Sequence, residues 1–233
     1  MNYNDFTTEL NRYWNLFNQG LKKQANQFLF EFTERFEQET PERDADDVLY
    51  QFCHEYFDTS YIPSALNPRK NLPYQLTKLL NAYLNRECRK NKMPQMRWAR
   101  QLFGEYYNPY HDPNPNEPPY RILERAYAHK ACDQMTAELY FHEQLESLWQ
   151  GQHHFPECSL ITQEAFEQIL QTAKKILSEK NIPKSLAEEL NEYEILYRTY
   201  FNWEKNNKNG DFCALCRANG LEYTPAATIY YEK

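Results

Sequence analysis

The sequence predicts an all-α protein: a single-domain multi-helix bundle of about eight helices, with a long Pro/Tyr-rich loop in the middle and a short extended C-terminal tail. Three observations carry this. Apolar residues recur three, four and seven positions apart along most of the chain, the period of helices with one buried face. Only five glycines are present and valines are few, which disfavours a sheet protein built from β-branched strands and Gly-rich turns. Five of the 13 prolines fall within residues 104–120, G-E-Y-Y-N-P-Y-H-D-P-N-P-N-E-P-P-Y. Proline removes a backbone donor and pushes the preceding residue away from helix, so this stretch interrupts the pattern.

Taken in order, Asp5 precedes a stripe of Phe6, Leu10, Tyr13, Trp14 and Phe17 that closes near Gly20. A second stripe (Ala25, Phe28, Leu29, Phe32, Phe36) runs to Thr40-Pro41, and the short gap at Gly20 makes the two helices a hairpin or a kinked pair. Asp44 or Asp46 caps a third helix carrying Val48, Leu49, Phe52, Cys53, Tyr56 and Phe57. A connection over 58–72 follows. Pro73 then suits the first position of a fourth helix with Leu76, Leu79, Leu80, Tyr83 and Leu84, and Pro94 restarts the chain in a short fifth with Met96, Trp98, Ala99, Leu102 and Phe103. The N-terminal helical half is thus 4–103, the Pro-rich connection 104–120 and the C-terminal helical half 121–233. In the latter, apolar residues from Ile122 to Trp149 predict one long helix, or two separated by a kink near Ala128. Residues 152–160 read as a loop. Thr162 caps a helix with Phe166, Ile169, Leu170, Ala173, Ile176 and Leu177, a further helix runs from Ser185 to about Lys205, and a short one spans Cys213 to Ala218. The tail from Leu221 alternates enough to be extended.

Charge and composition bound the function. Twenty-six basic against 33 acidic residues give −7, a sign that opposes phosphate backbones and anionic membranes and suits a basic protein partner. The opening residues lack a secretory signal and no run reaches membrane-spanning length, so the expected location is cytoplasmic. Six scattered cysteines read mostly as reduced core residues. Aromatic residues make up 16% of the chain and supply buried area beyond the aliphatic count.

No catalytic constellation emerges, and neither an enzyme nor a cofactor is expected. Cys213 and Cys216 have the spacing of half a zinc site, which only His153, His154 and Cys158 could complete; the plainer reading is a pair of small apolar residues on a short helix. His111-Asp112 lies between Pro109 and Pro113, not on the helix that a metal-binding His-Asp pair requires. His142-Glu143 lacks the second histidine of a zincin helix, and Arg125 with His129 reads as a helix-surface pair. Glu37, Glu39, Glu42, Asp44, Asp46 and Asp47 surround a proline turn. They serve either as favourable charges at a helix N-terminus or as a docking surface for a basic protein. Tyr106, Tyr107, Tyr110 and Tyr120 are either rings that pin a long connection to the core or interface anchors. A second aromatic and histidine-rich corner, W-Q-G-Q-H-H-F-P over 149–156, matches no known activity.

Acidic, almost wholly helical and without a recognisable active site, the chain resembles in type the all-helical immunity proteins of bacterial contact-dependent inhibition and other polymorphic toxin systems. The resemblance implies a toxin inhibitor that covers the active site of a cognate toxin, often a basic nuclease, with carboxylates and aromatic rings. On this chain those would be the six acidic residues from Glu37 to Asp47 together with Glu105, Tyr106, Tyr107, Tyr110, His111, Asp112, Glu117 and Tyr120. A helical scaffold or adaptor would use the same surface. A metal-dependent hydrolase would need His111, Asp112, His142, His153 and His154 to converge. Replacing Tyr107 and Tyr110 by alanine should weaken partner binding, measured by calorimetry, while leaving the circular-dichroism melt in place; loss of the fold instead would make the loop a structural strap.

Overall fold

The computed structural model describes residues 1–59, 72–106 and 119–225, the backbone alone for 103–106 and 119–120. Among these it is all-helical, with ten α-helices, one π-helical turn and no strand. The chain sorts into two compact units, Met1–Ala126 and Tyr127–Lys233.

The first unit is organised around Phe6, which is wholly buried. Helix α1 (Tyr3–Asn18) begins with a capping box: the Asn2 side chain accepts from the Asp5 amide while Asp5 reaches back to the Asn2 amide. Asp5 is the third helical residue, and its amide is satisfied by the Asn2 side chain. Gly20, at φ +82°, turns the chain into α2 (Lys22–Glu39), a conformation that suits a residue without a Cβ. The two helices are antiparallel: the Phe6 ring lies 5.1 Å from Phe36 and 5.4 Å from Phe32, and 5.8 Å from Phe52 of α3 (Glu42–Cys53). Edge and tilted contacts of this kind add to the burial of the rings. Helix α3 begins behind Pro41, so Asp44 lies in its first turn and neither Asp44 nor Asp46 is the cap.

Helix α3 runs into a π-helical turn over His54–Asp58. At its end, the Asp58 carboxylate accepts from Arg97 Nη1 at 2.5 Å and from the Trp98 indole at 2.7 Å, with His54 Nδ1 at 3.0 Å. Arg97 and Trp98 belong to α5 (Gln95–Tyr106), which packs on α4 (Tyr74–Arg89). The Arg97 and Asp58 side chains are 3% and 13% exposed, so the pair is a largely desolvated one. Burial by itself would raise the Asp58 carboxyl, but the bonds from Arg97, Trp98 and His54 outweigh it and hold the group below its ordinary range. Pro73 flanks α4 in extended backbone and is its N-cap, not its first helical residue. Arg125, expected as half of a surface pair, donates to the Cys88 carbonyl at 2.7 Å, a cation at the end of α4; His129 lies beyond its helix.

Helix α6 (Pro119–Ala128) spans the boundary between the units, and α7 (Gln134–Gly151) follows a break. Of the two forms expected for 122–149, the pair of helices is found. Asp133 enforces the break: its carboxylate accepts from the Thr136 amide at 2.7 Å and hydroxyl at 2.6 Å, an N-cap in the middle of the apolar run. Helices α5 and α6 also extend into the expected 104–120 connection, through Tyr106 and from Pro119; residues 107–118 lie outside the described residues.

The second unit is built by α7, α8 (Gln163–Glu179, capped by Thr162 as expected), α9 (Lys184–Lys205) and α10 (Phe212–Ala218). Its centre is Tyr197, fully buried on α9, with Phe166 stacked at 4.8 Å and the Tyr197 hydroxyl donating to the Leu148 carbonyl at 2.8 Å. Phe155 stacks on Tyr200 at 4.1 Å. Gly151 makes this possible, because a Cβ there would fall inside the contact distance of the Tyr197 hydroxyl and meet Ile161 Cδ1 at 3.0 Å. The W-Q-G-Q-H-H-F-P corner is therefore partly a packing device, with Gly151 and Phe155 facing inward and Trp149, His153 and His154 outward. Of the expected extended tail, residues 221–225 form no strand. Tyr223 packs on Phe212 at 5.6 Å, and residues 226–233 lie outside the described residues.

Gly151→Ala should destabilise by about 2 kcal/mol despite alanine's better helix propensity. Tyr197→Phe, which removes one hydrogen bond, should cost about 1 kcal/mol, and Gly151→Ala should cost less when combined with it, a coupling that denaturant melts of the double-mutant cycle would reveal. Asp58→Asn should cost about 3 kcal/mol in the same assay at neutral pH, because a buried guanidinium loses its carboxylate. With the Asp58 carboxyl depressed in the fold, its contribution is complete above about pH 4 and is lost as pH falls through the lower folded value. The gap between the natural protein and Asp58→Asn should therefore narrow in acid.

Candidate interaction surface

The acidic corner is built where α2 meets α3. Phe36 anchors the end of α2 in the core, and Thr40 and Pro41 end the helix. Val48 and Leu49 anchor α3, and the Ala45 amide donates to the Pro41 carbonyl at 2.9 Å. With one face of each helix committed inward, Glu37, Glu39, Glu42, Asp44 and Asp47 are left exposed. Asp46 is the exception. It is half-buried and paired with Arg86 of α4, which also lies 3.5 Å from Glu42 and 3.3 Å from Glu87. Burial pushes the Asp46 carboxyl up even against the pull of Arg86. It belongs to the α3–α4 packing and not to the open surface.

Among the described residues no cation pairs with Glu37, Glu39, Asp44 or Asp47. Residues 31–47 carry eight acids and two arginines, a net −6 within a chain of −7. Arg35 turns toward Glu9 at 3.8 Å and does not neutralise this corner. Helix dipole alone accounts for Glu42 and Asp44 in the first turn of α3. Glu37 and Glu39 sit at the opposite, C-terminal end of α2, where the dipole disfavours carboxylates. Self-repulsion and dipole both oppose that placement, and an opposing basic surface would relieve both.

The aromatic half of the expected surface is not in view: the side chains of Glu105, Tyr106 and Tyr120 and the whole of Tyr107, Tyr110, His111, Asp112 and Glu117 lie outside the described residues. The second corner carries Trp149, 49% exposed, with the His153 ring at 5.8 Å and His154 beyond it. Residues 152–157 form consecutive turns, not an open loop, closed by the Leu160 amide on the Gly151 carbonyl at 2.8 Å.

The two cysteines of the pair are placed differently, Cys216 buried and Cys213 half-buried. Cys216 is fully buried in the core of the second unit, where burial pushes its thiol up to about 11, and burial raises Cys213 as well. Among the described residues no three His, Cys, Asp or Glu side chains converge as a ligand set, and all six cysteines are free thiols. No described helix is long and apolar enough to cross a membrane. In comparison with known proteins, no family model, no curated protein and no solved structure matches this chain.

Proposed function

We propose that the chain is a protein-binding inhibitor that neutralises a basic protein, in the manner of the helical toxin-immunity proteins it resembles. The observation supporting this is the α2–α3 corner, where Glu37, Glu39, Asp44 and Asp47 stand exposed with no cation against them among the described residues, on a stretch holding most of the chain's net charge. Such charges accelerate encounter with a basic partner and penalise acidic ones more than they add affinity. The tyrosine-rich stretch 104–120 would supply the aromatic anchors of the same interface.

The test is genetic and biophysical. Co-expression should rescue cells from the toxicity of the neighbouring gene's product, and the two proteins should co-purify. Glu37→Gln, Glu39→Gln, Asp44→Asn and Asp47→Asn combined should cut the association rate about tenfold or more at low salt and flatten its salt dependence, measured by stopped flow. Thermal stability should change little, since these are exposed charges. Binding without toxicity or rescue would instead fit a scaffold or adaptor holding a partner in another assembly.

A further inference from the structure

The geometry points to a second recognition site, in the unit Tyr127–Lys233: a cleft between α7 and α9 that takes an arginine side chain of a protein partner. It is about 330 Å³ and is lined by His142, Leu145, Glu146 and Trp149 from α7 and by Glu189 and Tyr193 from α9. His142, Glu146 and Trp149 stand at i, i+4 and i+7, one face of α7, and Glu189 and Tyr193 at i and i+4 of α9. The volume is at the small end for ligand sites and ample for one guanidinium.

The lining selects the occupant. No lysine or arginine borders the cleft, and neither Glu146 nor Glu189 has an ion-pair partner among the described residues; Glu146 accepts only from Gln150, at 2.9 Å. Two carboxylates repel a phosphate or carboxylate ligand. Trp149 offers a half-exposed indole, with the His153 ring tilted beside it at 5.8 Å, a flat surface on which a guanidinium can stack. Tyr193 reports the same field: burial first, then Glu189, Glu146 and Glu192, push its hydroxyl up to about 12. A metal ion fits less well, since these groups do not converge as a three-ligand set. Arginine is favoured over lysine because its planar cation both stacks and donates to carboxylates in fixed directions.

This inference deepens the protein-binding reading and rests on it for its biological partner, but its test does not. The full-length ¹⁵N-labelled protein would be titrated at about 150 mM salt, an ordinary physiological level, with acetyl-Gly-Arg-Gly-amide and with the citrulline analogue, neutral and nearly isosteric. The Trp149 indole resonance, assigned through Trp149→Phe, should shift saturably with the arginine peptide and stay in place with citrulline. Glu146→Gln with Glu189→Gln should weaken binding about tenfold. Glu146→Gln alone, at an exposed position, keeps the test available if the double variant fails to fold. A flat titration, an equal response to citrulline, or a response unaffected by these carboxylate changes would overturn the assignment. If the titration is flat while the α2–α3 charge variant still loses its partner, the cleft falls and the protein-binding reading stands.

Discussion

The close approach of the Tyr197 hydroxyl to the backbone of α7, at the Leu148 carbonyl and beside Gly151, is the constraint around which the second unit is arranged. A tyrosine buried to 0% exposure must place its hydroxyl on a partner, and the end of a helix is one of the few places where a carbonyl is within reach. That demand calls for a glycine at 151. It brings α9 against the end of α7 and leaves the chain to return over Phe155, whose ring stacks on Tyr200 and meets Phe212 at 6.0 Å. Three helices and a turn are thereby fixed by one ring and its immediate neighbours.

The first unit solves a similar problem with a different centre. Phe6 collects rings from α2 and α3, while at the C-terminal end of α3 the π-helical turn delivers Asp58 to Arg97 and Trp98 of α5. A wider turn at the end of a helix often marks a functional site. Here its visible consequence is a buried ion pair joining two elements far apart in sequence. Such a pair contributes less to net stability than its Coulomb energy suggests, because both groups are desolvated, yet removing one partner is costly.

The surface divides charge unevenly. Asp46 and Glu87 are absorbed into the Arg86 network of α3 and α4, whereas their neighbours around Pro41 are left in solvent. Carboxylates at the C-terminal end of α2 gain nothing from the helix dipole, so a functional reading of that corner has more physical support than one built on Glu42 and Asp44. The α7–α9 cleft differs in kind: its carboxylates come with an indole and a phenol, which give the site a shape as well as a sign.

Helix class and most stripes were legible in the sequence because they depend on local periodicity: Phe6, Leu10 and Trp14, or Phe166, Leu170 and Ala173, are buried where their spacing places them. The break after α6 was legible only as an alternative kink near Ala128; the cap at Asp133, three before Thr136, was not, because the apolar pattern runs on through it. The acidic corner could be read as composition, but not that Asp46 is withdrawn from it, since Arg86 lies 40 residues away in the chain. Periodicity likewise says nothing of Asp58 meeting Arg97, or of why residue 151 must be glycine, because both depend on side chains brought together by packing of separate helices. Local pattern is enough to set which faces are apolar and where helices can begin. Which polar groups are used up inside the protein and which stay exposed is set by the packing of separate helices, because that depends on distances no local pattern encodes.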